Sequence, residues 1–209
     1  KSIGYIKDNK NILKNRNFQN LTKLIWYSDF KNQDIGNSFS ISNPSLLSIA
    51  GPSGIGKTFL LDKFVGIINA SSSQWNLDTL DKKFQVNGDQ NLPLLRQFIS
   101  YCPQDVFIFE GSLLENLFIN IHQSNQKSKQ EIDELLIYWF SRVNMGYLLE
   151  RYKNFNDLMK ISVSKLSGGE IKRFGLIRSF ILDRQIEVYD EPTANLDAMN
   201  AELISNILF

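Results

Sequence analysis

One stretch narrows what this chain can fold into more than any other: Gly51-Pro52-Ser53-Gly54-Ile55-Gly56-Lys57-Thr58. It follows an apolar run, Leu46-Leu47-Ser48-Ile49-Ala50, and precedes Leu60, Leu61, Phe64, Val65 and Ile68, whose three-and-four spacing marks one buried helix face. The order is therefore strand, glycine-rich loop, helix. Glycines let successive backbone N–H groups turn inward around a polyphosphate, and the helix starting near Lys57 offers the positive end of its dipole to the anion. Lys57 is placed to reach the β- and γ-phosphates, and the Thr58 hydroxyl to ligand Mg²⁺. A glycine-rich turn arising by chance would lack the flanking strand and helix.

A second constellation begins at Leu166-Ser167-Gly168-Gly169-Glu170. Ser167 and Glu170 have the spacing of a capping box, which predicts a helix running through Ile171, Phe174, Ile177 and Ile181. Two glycines at its mouth leave N–H groups bare, able to close on a phosphate. Next comes Ile186-Glu187-Val188-Tyr189-Asp190-Glu191-Pro192, a short strand that ends in two carboxylates and is stopped by proline. Carboxylates at the carboxyl edge of a central strand sit where open α/β sheets bind ligands. Asp190 would hold Mg²⁺, directly or through water, and Glu191 would orient or deprotonate an attacking water. Glu187 interrupts this apolar strand and needs a partner if both faces of the sheet are covered.

With 209 residues, the chain suits one large domain or a domain with a small subdomain. A formal net charge of +1 provides no global field to recruit nucleic acid or anionic lipid, so no nucleic-acid partner is expected. The single cysteine, Cys102, excludes an internal disulfide and fits a reducing compartment. No apolar run approaches the length of a membrane span. Lys1 to Asn20 is polar and reads as a linker with room for a short helix, and the start Lys1-Ser2-Ile3-Gly4 suggests a piece of a longer polypeptide.

Two strands, in Leu21–Phe30 and Ser38–Ile41, are expected around a polar turn at Lys31–Asn37, giving a small antiparallel sheet before the phosphate loop. Phe84–Val86 reads as a strand ending at Asn87-Gly88, Leu94–Phe98 as a short helix and Ile99–Cys102 as a strand. From Ser112 to about Lys160 the pattern is mostly helical, with a polar loop at Gln123–Gln130 and an aromatic-rich helix at Ile132–Phe140. The sole histidine, His122, reads as a solvated surface residue, and Ser71–Lys83 receives no role. The sum is an α/β core carrying an inserted helical subdomain at about 105–165.

These residues resemble the nucleotide-binding domains of ATP-binding cassette (ABC) transporters. GPSGIGKT is similar to the Walker A motif, LSGGE to the family signature, IEVYDE to Walker B with its catalytic glutamate, and Ala194-Asn195-Leu196-Asp197 to the D-loop. Gln104, within YCPQDVFIFEGSLLENLF, falls where the Q-loop glutamine lies, and that stretch looks most like the exporter branch. The likeness runs from about Leu21 to Asp197.

The resemblance implies a RecA-like P-loop NTPase core spanning 21–209, with a small antiparallel β subdomain and an inserted α-helical one. It implies ATP and Mg²⁺ as cofactors, with Gly51 to Thr58, Ser167, Gly168, Gly169 and Glu170 around the nucleotide. Thr58, Gln104 and Asp190 would serve the metal, and Lys57, Gln104 and Glu191 the reaction. An upstream aromatic would stack on adenine, Tyr27 first and Trp26 next. Two domains would pair head to tail, sandwiching ATP between Walker A of one and the signature of the other. A membrane domain, fused or separate, would place the cassette at the cytoplasmic face of a membrane. The family's switch histidine lies on a strand beyond the D-loop, and the chain ends at Phe209 before reaching it. Two other readings accompany export: a soluble cassette ATPase of translation or DNA repair, and a cassette that binds ATP without hydrolysing it and serves regulation.

Overall fold

The computed structural model describes residues 2–8, 21–28, 37–42, 45–68, 70–118, 129–152 and 154–208. They form two compact units, Lys1–Pro103 with Asp183–Glu191, and Gln104–Leu182 with Pro192–Phe209. The remainder of the expected linker, the turn after Phe30, His122 and most of the polar loop at Gln123–Gln130 lie outside the described residues.

The first unit holds two sheets. One contains strands β1 (Ser2–Asp8), β4 (Leu46–Gly51), β7 (Ile99–Cys102) and β8 (Ile186–Asp190), in the order β4-β1-β8-β7. β7 and β8 run parallel, whereas β1 is antiparallel to both of its neighbours. The expected linker therefore begins as a core strand: Gly4 is opposite Ile49 on one side and Asp190 on the other. Two isoleucines and a tyrosine within Ser2–Asp8 supply β propensity, and two long partners supply the hydrogen bonds.

The second sheet is antiparallel, with β2 (Leu21–Ser28), β3 (Asn37–Ser42), β5 (Ser73–Thr79) and β6 (Lys83–Asn87) in the order β3-β2-β5-β6. β5 lies within the segment that the sequence left without a role. Its inward side chains, Ser73, Trp75, Leu77 and Thr79, alternate strictly, and Trp75 and Leu77 bury completely. Beneath it, α1 (Lys57–Phe64) and α2 (Leu92–Phe98) add Leu61, Phe64 and Leu95 to a cluster with Leu24, Trp26, Val86 and Val188. Phe64 meets Trp26 edge to face at 5.8 Å, and its carbonyl accepts the Trp75 indole N–H at 2.7 Å.

The second unit is helical: α3 (Leu113–Phe118), α4 (Lys129–Arg142), α5 (Gly146–Arg151), α6 (Phe155–Met159), α7 (Gly168–Leu182) and α8 (Ala198–Leu208). Trp139 of α4 stacks on Phe180 of α7 with centroids 4.3 Å apart. No described helix is long and apolar enough to cross a membrane.

The segment after Gln104 is clamped along α7. Lys172 Nζ donates to the Gln104 carbonyl at 2.7 Å, and an Arg178 guanidinium nitrogen to the Phe107 carbonyl at 2.5 Å. Between them Gly175 leaves room for the Val106 side chain: a Cβ there would lie 2.4 and 2.8 Å from the Val106 methyls. Valine has no flexible end to move aside. Gly175→Ala should therefore destabilise the fold by ~1–3 kcal/mol despite alanine's better helix propensity. A thermal melt showing a higher midpoint would refute the close contact, and Val106→Ala in the same chain should restore part of the loss.

Candidate nucleotide site

The phosphate loop takes its shape from two glycines. Gly54 and Gly56 have φ of +80° and +95°, where other residues are strained although a Cβ at either would meet nothing within 4 Å. Their demand is conformational, not steric. Gly56 is the N-cap of α1, which carries no side-chain cap, so its first N–H groups face out from the loop. Pro52, Ser53, Gly54, Ile55 and Gly56 are exposed, and Gly51 at the end of β4 is half-buried.

Lys57 is only 7% exposed, and its ammonium donates to the carbonyls of Gly51 at 3.2 Å and Pro52 at 2.9 Å. The positive charge thus sits inside the curve of the loop. Next to it, Thr58 Oγ1 donates to Asp190 Oδ2 at 2.6 Å, joining residues 132 positions apart. Asp190 closes β8 and is fully buried, and Glu191 follows with φ of +45°. A non-glycine residue is uncommon in that region, and such outliers cluster at functional sites. Hydroxyl and carboxylate oxygens this close are hard donors of the kind that Mg²⁺ takes.

Glu187, the charge within β8, is buried at 1% exposure and accepts the Tyr189 hydroxyl at 2.6 Å from the same face of the strand. The partner required by the sequence is thus two residues away. On β2, Trp26 is fully buried whereas Tyr27 is 44% exposed. Alternation turns the Tyr27 ring outward, and Trp26 belongs to the core with Phe39 and Phe64.

In the second unit Ser167 caps α7 by the expected reciprocal bonds: Ser167 N–H donates to Glu170 Oε2 at 2.6 Å, and Glu170 N–H to Ser167 Oγ at 3.4 Å. Ser167 and Gly168 are exposed, Gly169 and Glu170 half-buried. Gln104 opens this unit, half-buried, with its carbonyl held by Lys172. At the turn before α8, Asp197 accepts from Asn200 N–H at 2.9 Å and Asn200 Nδ2 at 2.6 Å. Those bonds from Asn200 hold its carboxyl below the usual range.

Sequence reasoning missed two residues at the α4–α5 corner. Tyr147 donates its hydroxyl to Glu170 Oε1, and Asn144 Nδ2 donates to Asn200 Oδ1 at 2.9 Å. Burial and the Glu170 carboxylate push the Tyr147 hydroxyl up to about 12, so it remains a donor at neutral pH. Burial pushes the Glu170 carboxyl up, but the Tyr147 hydroxyl, the bonds from Ser167 and the Arg173 charge outweigh it and keep the group below its ordinary value. Neither contact has a local signature.

The family model of the ABC transporter matches residues 36–194. The chain belongs to the ABC transporter family. It is 30% identical over 177 residues to the pediocin PA-1 transport/processing ATP-binding protein PedD of Pediococcus acidilactici, covering 82% of this chain and 23% of that protein. It is 33% identical over 178 residues to the lipoprotein-releasing system ATP-binding protein LolD of Treponema denticola, covering 82% of this chain and 71% of that protein. A molybdate/tungstate import ATP-binding protein WtpC of Pyrococcus abyssi is 30% identical over 172 residues, covering 82% of this chain and 44% of that protein. The ABC relatives thus include transport/processing, lipoprotein-releasing and import ATP-binding proteins. A solved structure of a bacterial Atm1-family ABC exporter with ATP bound aligns with a TM-score of 0.61 at 18% identity, over 90% of this chain and 32% of that one, which supports the shared P-loop NTPase fold. This cassette spans about a quarter of PedD's length.

Proposed function

We propose that this ABC cassette binds ATP with Mg²⁺ and hydrolyses it between two copies paired head to tail, as the motor of an exporter at the cytoplasmic face of a membrane. The observation that supports the reading most is the 2.6 Å bond between Thr58 and Asp190, which joins two oxygen-bearing side chains of the kind Mg²⁺ takes across 132 positions of sequence. Export is supported by the likeness to the lipoprotein-releasing protein LolD and by the exporter-like stretch from Tyr101 to Phe118.

In this reading Gly54 and Gly56 turn the loop N–H groups toward the β- and γ-phosphates, and Lys57 exchanges its loop carbonyls for phosphate oxygens. Thr58 and Asp190 would hold Mg²⁺, which would supply neutralisation of the developing phosphate charge. Glu191, fixed by its backbone just past β8, orients and deprotonates the attacking water. Tyr27 stacks on adenine, and Gln104 reports on metal and water. The open side of the γ-phosphate is closed by a second copy, through the Ser167 hydroxyl and the N–H groups of Gly168 and Gly169. Such stabilisation in trans is worth about 10³–10⁵ in rate in related phosphate-loop enzymes, so isolated copies should turn over slowly.

Mixing two inactive variants tests the composite site. Lys57→Ala removes the phosphate cradle of its own copy, and Ser167→Arg blocks the face offered to the other. Mixed pairs retain one intact site, so combining the inactive chains should recover up to about a quarter of wild-type ATP turnover, given random symmetric pairing. No recovery, with both variants folded, would overturn the head-to-tail arrangement.

A further inference from the structure

The α4–α5 corner is bonded both to the helix mouth at Ser167, through Glu170, and to the Asp197 turn before α8, through Asn200. Tyr147 holds Oε1 of Glu170, whose Oε2 holds the Ser167 N–H at 2.6 Å. Asn144, three residues earlier, donates at 2.9 Å to the buried Asn200, which in turn grips both carboxylate oxygens of Asp197. Asn144 has φ of +57°, so the chain turns through a left-handed residue just before α5. Gly169 and the D-loop are also packed together: a Cβ on Gly169 would lie 3.8 Å from a Leu196 methyl. The 7%-exposed Arg173, one turn into α7, places its charge where it favours the ionised forms of both Glu170 and Asp197.

We propose that Tyr147 and Asn144 are positioning residues, which lock the Ser167 helix mouth and the Asp197 turn into one rigid face for the ATP of a second copy. The inference rests on the head-to-tail reading above. Tyr147 and Asn144 touch no nucleotide in it; they act through Glu170 and Asn200. The physical reason to need them is that glycines at the mouth leave the backbone of 168–169 with no side chains to brace it. A hydroxyl bond to the capping carboxylate supplies that brace.

The test uses the Glu191→Gln chain, in which ATP and Mg²⁺ should hold dimers, and reads two quantities: affinity of dilute monomer for a fluorescent ATP analogue, and the dimer dissociation constant from sedimentation. Tyr147→Phe should leave monomer affinity within about twofold while raising the dimer constant ~10–100-fold, the span expected when a bond to a charged group is lost. Asn144→Gly, which keeps the left-handed turn, should do the same. An unchanged dimer constant in both Tyr147→Phe and Asn144→Gly, or equal losses in both readouts, overturns the positioning role. Ser167→Arg separates the two levels: if it too leaves dimers intact, the head-to-tail reading falls and this inference with it; if it alone breaks them, only the role of the corner is wrong.

Discussion

Lys57→Ala should abolish ATP binding, lowering affinity by ~100-fold or more, because a desolvated charge partner of the phosphates is removed. The ammonium lies buried within the loop and already spans two carbonyls, those of Gly51 and Pro52. Its loss therefore acts twice. The phosphates lose their cation, and the loop loses the tie that holds its entrance curved. Titration calorimetry with ATP and Mg²⁺ reads the first effect, and a thermal melt without nucleotide reads the second. Unchanged affinity would mean that the loop is not the cradle, whatever its shape. Arginine is not a conservative alternative at this site, since its planar fork cannot sit where a compact ammonium is enclosed.

Glu191→Gln should separate binding from turnover. The amide matches the carboxylate in size and keeps the left-handed backbone at φ of +45°, but it cannot take a proton from water. Phosphate release should fall by ~10²–10⁴-fold, the contribution usual for a general base, while ATP affinity stays near that of the parent. Since hydrolysis would otherwise dissolve the pair, the variant with ATP and Mg²⁺ should sediment as a dimer and revert to monomer when the nucleotide is removed. Persistent monomers at high concentration would remove the support for ATP as the joining ligand. Undiminished phosphate release would assign the base to another residue.

Both predictions concern residues that were legible in the sequence, and the reason is local. The phosphate loop, the capping box of Ser167 and Glu170, and the strand ending at Asp190 each write their structure within a few consecutive residues. The partner of Glu187 was equally close, at Tyr189, but a hydroxyl two residues along a strand becomes meaningful only once the face is known to be buried. Ser71–Lys83 concealed β5 because serine, asparagine, aspartate and lysine outweigh the Trp75 and Leu77 alternation that places it at the centre of its sheet. Ser2–Asp8 was hidden for a different reason. Its pairing comes from strands far away in sequence, and no periodicity records that. The corner contacts, Tyr147 to Glu170 and Asn144 to Asn200, span 23 and 56 positions and are visible only in three dimensions.

The placement of β1 also bears on how the polypeptide matures on the ribosome. Ser2–Asp8 can zip onto Leu46–Gly51 early, but its opposite flank is completed only by Ile186–Asp190. Throughout the translation of the intervening residues, a row of unsatisfied amides and carbonyls in the middle of the future sheet stays open to any extended stranger. Nascent-chain aggregation, and the demand for chaperones, should therefore peak late and drop once Asp190 has emerged from the exit tunnel.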